Sequence, residues 1–175
     1  MSNDELWATI EDPDMTPVER AFIVEASREA EGRAERRAAV IVHIGVGRGI
    51  SLHCSRHGAP EALLYGVDVL GASVMAGDPQ AAIITAFSQA AWLEFDEEID
   101  LLFIDGDHSA AAVIGDVVGW RPLVRVGGLI VFHDYGNGGR APWTAGVKQA
   151  VDALNWGGWE QVQAPGSLAA LERIA

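Results

Sequence analysis

Apolar positions follow two rhythms along this chain. Ala38 to Gly45, Ala62 to Val69, Ile99 to Ile104 and Leu129 to Tyr135 are short, nearly continuous apolar runs, several of them rich in β-branched residues. That is the pattern of parallel strands covered on both faces. Between them the pattern turns helical. Thr16 to Arg37 reads as a helix with Thr16 as cap, Pro17 at the first helical position and Glu19 three residues after the cap, and Val18, Phe22 and Ile23 fall near one face. Ile50 to His57, Pro79 to about Trp92, Ser109 to Val118 (stopped near Pro122) and Thr144 to Leu154 are the further predicted helices. Ser73 to Ala76 is expected as a shorter strand leading to Gly77-Asp78, and Trp159 to Gln163 as another. Gly127-Gly128 reads as the turn into Leu129, and propensity leaves Ser167 to Ile174 open.

Strands alternating with helices predict an α/β fold, a parallel sheet with helices on both faces. No repeat or linker divides the 175 residues, so a single domain is expected, with an N-terminal helical segment (1–37) and a core (38–175). In such open sheets ligands bind at the carboxyl ends of the strands. That rule gathers Gly45, Gly47, Gly49, Asp68, Asp78, Asp105, Asp107, His108, His133 and Asp134 along one edge.

Charge narrows the partners. Twenty-five acidic residues against 12 Lys and Arg give a net charge of -13, which repels phosphate backbones and argues against nucleic acid. Cys54 is the single cysteine, so neither an intrachain disulfide nor a multi-cysteine zinc site can form. The first residues do not read as a signal peptide, and no run approaches the ~20 apolar residues of a membrane span, so a soluble cytoplasmic protein without a membrane partner is expected.

GVGRG, Gly45 to Gly49, lies between a predicted strand and a predicted helix, where glycines allow a sharp turn and close approach of a ligand to backbone N–H groups. The spacing is not the dinucleotide GxGxxG, since position 50 is Ile50. Asp68, 19 residues beyond Gly49, ends the next strand, where a carboxylate can hold both hydroxyls of a ribose. Asp78 either accepts from an adenine amine or caps the segment that Pro79 opens. FIDGDHS, Phe103 to Ser109, then sets two carboxylates and an imidazole directly behind a buried run.

Together MTPVERAF, VHIGVGRGIS, YGVDV, GDPQAAI, IDLLFIDGDHS, RPLVRVGGLIVFHDYG and GVKQAVDAL resemble, in order, the class I S-adenosylmethionine-dependent methyltransferases, and particularly the small-molecule group called methyltransferase family 24. The resemblance runs from about residue 15 to the C-terminus. It implies a Rossmann-like, doubly wound, mostly parallel seven-stranded sheet in which the helix-like GSLAALERI forms the last, antiparallel strand. It implies S-adenosyl-L-methionine as cofactor and a small-molecule substrate, and leaves a homo-oligomer open. By the same resemblance Gly45, Gly47 and Gly49 would lie against the methionine part, Asp68 would hold the ribose and Asp78 would lie near adenine. Asp105 would lie beside the cofactor and, as in metal-dependent relatives, on a divalent cation. His43 stands where many relatives have Glu.

O-methylation of a small hydroxylated molecule needs alignment and removal of a proton. Asp107 and His108 are the candidate bases, and Asp105, His133 and Asp134 the candidate ligands of Mg²⁺. Strand alternation separates His133 from Asp134 unless the strand end twists or bulges. Cys54, His53 and His57 read as structural, while Asn137, Arg140 and Trp143 are candidates for a substrate loop. The rivals weighed are a nucleotide-sugar transferase using Asp105-Gly106-Asp107, a dehydrogenase, an HD phosphohydrolase using His133-Asp134, a nucleic-acid methyltransferase, and a non-catalytic cofactor-binding protein of the same fold.

Overall fold

The sheet grows outward from β1, Val40–Ile44, whose five residues are all buried. In this computed structural model, which describes residues 15–34, 37–71, 75–136 and 144–175, β1 pairs in parallel with β2 (Leu63–Val67) on one side and β4 (Ile99–Ile104) on the other. β3 (Ala81–Ile84) extends the sheet beyond β2 and β5 (Val124–Phe132) beyond β4, both parallel. β7 (Ala169–Arg173) inserts antiparallel between β5 and β6 (Trp159–Val162), giving the order β3-β2-β1-β4-β5-β7-β6. This is the mostly parallel, seven-stranded sheet that the family likeness implied.

Alternation along the strands divides the core in two. Val40, Val42, Ile44, Leu102, Ile104, Ile130 and Phe132 face the layer of α4 (Ala110–Trp120) and α5 (Ala145–Ala153). Ile41, Leu101, Phe103 and Val131 face α1 (Pro17–Arg33) and α2 (Ile50–Gly58), so helices cover both faces. His43, on β1 between Val42 and Ile44, belongs by parity to the α1 and α2 side.

Three expectations are corrected. The helix from Pro79 to Trp92 does not form: Asp78 Oδ1 accepts from the Gln80 N–H at 2.9 Å, Ala81–Ile84 pairs with β2, and only Ser88–Ala91 (α3) and a 3-10 turn at Trp92–Glu94 are helical. The alanines that favour helix locally are overridden by an open sheet edge. Of the short strand expected at 73–76, residues 73 and 74 lie outside the described residues, and 75–77 form a turn with Met75 at φ 62 and Gly77 at φ 87. Gly127-Gly128 lies within β5 rather than before it. The register there moves from Ile99↔Val124 to Leu101↔Leu129, so the glycines absorb a bulge.

The open segment Ser167 to Ile174 resolves as β7. Ala169 and Leu171 enter one core layer and Leu168 and Ala170 the other, a strand's alternation that its composition hid. α1 ends at Arg33, short of the predicted Arg37, whose guanidinium instead grips the buried Asp100 at 2.7 and 3.0 Å.

Glu19 ties α1 to this frame. One carboxylate oxygen accepts from Thr16 N and Thr16 Oγ1, both at 2.7 Å, closing a capping box, and the other accepts from Ser167 N at 2.6 Å and Ser167 Oγ at 2.8 Å. Only 2% of Glu19 and 7% of Ser167 is exposed, so removal of the carboxylate strands the Ser167 donors in the protein interior. Glu19→Ala is expected to lower unfolding stability by roughly 2–4 kcal/mol, measured by chemical denaturation. A loss below about 0.5 kcal/mol would show that α1 is held by apolar packing alone.

Candidate active site

Four residues sit one rung past the strands that carry them and still take part in the ladder. Gly45 N donates to Val67 O (2.9 Å), Asp68 N to Ile84 O (3.1 Å), Asp105 N to Ile44 O (2.8 Å) and His133 N to Ile104 O (3.1 Å). Sheet pairing therefore sets the backbone positions of the glycine loop, both aspartates and the histidine along one edge.

The loop itself depends on glycine. Gly45 has φ 82, and a Cβ there would overlap the Asp105 carbonyl, so the loop lies directly on the end of β4. Gly47, at φ 48, faces open space, and Gly49, at φ 80, starts α2. Asp68 Oδ2 accepts from Val46 N (3.0 Å) and Gly47 N (3.2 Å), while Oδ1 accepts from Leu70 N (2.9 Å). Burial would raise the Asp68 carboxyl pKa, but these N–H groups outweigh it and hold it below the usual carboxylate range. The second strand's acid thus braces the loop as well as lining a cavity.

Two cavities flank the loop, and Gly45, Gly47 and Asp105 line both. The larger, about 510 Å³, runs from Asp68 and Val69 past Phe87, Ser88 and Gln89 to Asp107 and Asp116. The smaller, about 230 Å³, lies against Met15, Arg48, Ile50 and Ser51. Asp78 is not among the described residues of either wall. It pairs with Arg56 Nε at 2.7 Å and caps the turn at Gln80, which is the structural alternative weighed for it.

An acid that the sequence reading passed over takes part in the far wall instead. Asp116, on α4, is 2% exposed and accepts from the Ser88 hydroxyl and from Gln89 Nε2 (2.8 Å). Burial raises its pKa to about 6. Its position within a predicted amphipathic helix made it look like one more polar helix residue.

The opening of the site is an Asp and His cluster. Asp105 Oδ1 lies 3.3 Å from His108 Nε2 and 3.2 Å from His133 Nδ1, and Asp134 Oδ2 lies 3.4 and 3.5 Å from the same two atoms. His133 and Asp134 meet there despite being neighbours in sequence because β5 ends at Phe132 and Asp134 turns into the left-handed region at φ 61. Asp105, His108 and Asp134 each offer a ligand atom, all within 4.8 Å of one another, which is a donor set suited to a hard cation.

His133, the third ligand expected, stands between the two carboxylates and Glu19. Burial would lower its pKa, but Asp105, Asp134 and Glu19 prevail and push it up to about 12; Glu19 Oε2 lies 3.9 Å from Nε2. His108 stands above its usual value because of its hydrogen bond to Asp105, against the opposing effect of burial. Asp105 is held low by both histidines against burial.

Asp107 accepts from Ser109 N at 2.8 Å, which lowers its pKa, and stands outside this cluster on the larger cavity's wall. His43 is fully buried, with Ser51 Oγ 3.1 Å from Nδ1 and Ser55 Oγ 2.9 Å from Nε2. Burial also pushes the Cys54 thiol up to about 12, which fits an inert core residue. Asn137, Arg140 and Trp143 lie outside the described residues.

Fold and site together define a class I, Rossmann-like nucleoside-cofactor domain of the methyltransferase type. The profile of a methyltransferase domain matches residues 42–135, more than half of the chain, and the chain belongs to that family, methyltransferase family 24. What the match shows is a methyltransferase domain. An uncharacterised protein of Acanthamoeba polyphaga mimivirus is 43% identical over 56 residues, 32% of this chain and 24% of that protein's length.

Among solved structures, a Corynebacterium glutamicum protein matches with TM-score 0.71 and 15% identity over 98% of this chain and 88% of its own. The Podospora anserina methyltransferase PaMTH1, bound to SAH, matches with TM-score 0.66 and 16% identity over 97% and 86%. The mycinamycin-pathway methyltransferase MycE, in complex with Mg, SAH and mycinamycin VI, matches with TM-score 0.65 and 20% identity over 85% of this chain and 48% of that one. At these identities the likenesses are ones of fold.

The Asp116 carboxyl yields a pH test. Its folded-state pKa is raised, so its contribution is fully present below about pH 4 and is lost as pH rises through about 6. Asp116→Asn, neutral throughout, is therefore expected to gain stability relative to wild type by roughly 2–3 kcal/mol between pH 3.5 and 7.5. Paired denaturation curves at the two pH values measure this. A pH-independent difference would remove Asp116 from the titrating groups.

Proposed function

We propose that this chain methylates a hydroxyl oxygen of a small molecule and holds a divalent cation such as Mg²⁺ while doing so. The observation that carries this reading is the convergence of Asp105, His108 and Asp134 at the strand ends, with Asp105 also lining both cavities beside the glycine loop. The residues fit a nucleoside-containing sulfonium cofactor: Gly47 leaves open space beside the loop, Asp68 lines the larger cavity at the end of β2 and would take the ribose, and Gln89 and Asp116 offer polar groups at the far wall. They also fit a hard cation, since two carboxylates and an imidazole nitrogen lie within ligand reach of one another.

S-adenosylmethionine supplies an electrophilic methyl on a good leaving group, and a bound cation lowers the pKa of the acceptor hydroxyl and orients it. What remains for the protein is alignment and proton removal. The glycine loop and Asp68 would hold the cofactor and the carboxylates of Asp105 and Asp134 the cation, while His133, 3.9 Å from Glu19 and 3.2 Å from Asp105, would keep Asp105 in place. With the cofactor methyl as electrophile, Nε2 of His108 would take the acceptor's hydroxyl proton, and the two neighbouring carboxylates would stabilise the imidazolium. Asp107, engaged by Ser109 N, is the weaker candidate for base. The acidic chain favours a neutral or cationic acceptor.

Calorimetric titration of metal-free protein with S-adenosylhomocysteine, NAD and a nucleoside diphosphate sugar, repeated with Mg²⁺, tests the reading. Binding of S-adenosylhomocysteine alone is expected, and binding of either rival in its place would sink it.

The proximity of His108 to both carboxylates favours a second reading, in which it is a third ligand. Asp134→Ala is expected to weaken Mg²⁺ binding by at least ~10-fold. His108→Asn is expected to leave Mg²⁺ affinity within about 3-fold while lowering kcat by ~10²-fold or more. Loss of Mg²⁺ affinity in His108→Asn would make it a ligand instead of the base.

A further inference from the structure

α4 lacks the polar outer side that a surface helix ordinarily has. Its 11 residues, AAAVIGDVVGW, hold a single charge, Asp116, and that carboxylate is buried against Ser88 and Gln89. Val113, Val117 and Trp120 face the core, while Ala111, Ile114 and Val118, at helical spacing, are exposed. A helix that is apolar all round is ordinarily covered on every side.

α3 and the 3-10 turn after it extend this face. They lie alongside α4 because two glycines leave room for them: a Cβ on Gly115 would stand 3.3 Å from Gln89 Cγ, and one on Gly119 would overlap the Trp92 ring. Trp120 Nε1 donates to Ser88 O at 3.2 Å on the inner side, which leaves Phe87, Ala90 and Leu93 exposed.

Ile114, Val118, Leu93 and Phe87 are 36%, 60%, 66% and 70% exposed. At ~150–200 Å² for a large apolar side chain, this leaves roughly 400 Å² of apolar surface before the alanines are added, within the range of patches that mark association sites. A stable interface buries ~800 Å² per partner, somewhat more than half of it apolar. The face of α3 and α4 therefore supplies close to the apolar area that one side of such an interface needs.

Charge selects the occupant. The chain has 25 acids against 12 Lys and Arg, so a cationic partner would dock on acids, and the exposed face of α4 offers it none. A second copy is repelled by acids and approaches best where they are absent. Polar residues stand at the ends: Asp107 and Ser109 before α4, Arg121 after it, and Glu94 after Leu93. An apolar centre with a polar rim is the make-up of a protein interface.

We propose that the exposed face of α3 and α4 is a two-fold interface at which two copies of this chain pair. The face meets itself, so each apolar side chain is buried twice per dimer, and repulsion between the remaining acids holds the affinity to the micromolar end of the range for interfaces of this size. Phe87 and Gln89 also line the larger cavity, which sets the partner beside its far wall.

Sedimentation velocity of the full chain over a concentration series tests this. Wild type is expected to pass from monomer to dimer at tens of micromolar, and raised salt, which screens the acids, to leave or strengthen the pairing. Val118→Glu sets two unpaired charges in each dimer and is expected to raise the dissociation constant at least ~10-fold. Leu93→Glu, on the other element, is expected to do the same and reads the same face should Val118→Glu fail to fold.

Val18→Glu makes the same change of charge at an exposed apolar position on α1, on the other face of the sheet, and is expected to leave pairing within about 2-fold. Far-UV circular dichroism checks the fold of each variant. Four results would overturn the inference: a wild type still monomeric at about 200 μM, well above a micromolar dissociation constant; a dimer that salt dissociates; a dimer that folded Val118→Glu or Leu93→Glu leaves intact; or one that Val18→Glu weakens as much.

Discussion

The last rung of the parallel ladder is the constraint on which this molecule's chemistry depends. Gly45, Asp68, Asp105 and His133 each donate their N–H to the final carbonyl of a neighbouring strand, so the residues of the candidate site are held by the hydrogen bonds that build the sheet. The position of a side chain at such a point is as rigid as the central strands, which are buried on both faces. Gly45 shows how tight the fit is: its Cα lies so close to the Asp105 carbonyl that no larger residue fits without moving a strand end.

Charge then organises what the ladder has gathered. Two carboxylates from β4 and β5 face one another at the mouth, a costly arrangement without positive charge between them. His133 supplies that charge from beneath, and His108 Nε2 stands at the rim within 3.4 Å of both carboxylates. Glu19 completes the lower side while also accepting from Ser167, so the helix that opens the described chain, the loop before β7 and the catalytic edge share one buried carboxylate. Burial of a charge on α1 is tolerable only because every bond it makes is to a donor on an element that the fold already holds in place.

Much of this was legible because it is local. GVGRG between a β-branched run and a helix reads as a turn needing positive φ, and the three glycines have it. Thr16, Pro17 and Glu19 announce a helix start, and Ser109 announces a later one, where its Oγ accepts from Ala112 N. The strand Ile99–Ile104 has the bounds its apolar run predicts. The likeness to methyltransferases rests on the same segments, which is why the seven-stranded sheet and its last antiparallel strand were anticipated.

What the sequence determined alone is therefore the set of short-range features: glycine turns, caps, buried runs, and the alternation that places polar residues after strands. These depend on sterics and on hydrogen bonds a few residues apart. Tertiary structure decided everything that rests on distant partners. Ala81–Ile84 became a strand because β2 offered an edge, and Asp78 joined Arg56 while Asp116 took a place on the cavity wall. His133 and Asp134 share a target because the chain leaves the sheet between them. His43 is linked to Ser27 on α1 through the Ser55 hydroxyl, a contact that exists only because α1 packs on α2. No local pattern encodes such pairings, since a side chain's partner is chosen by which elements the core brings together.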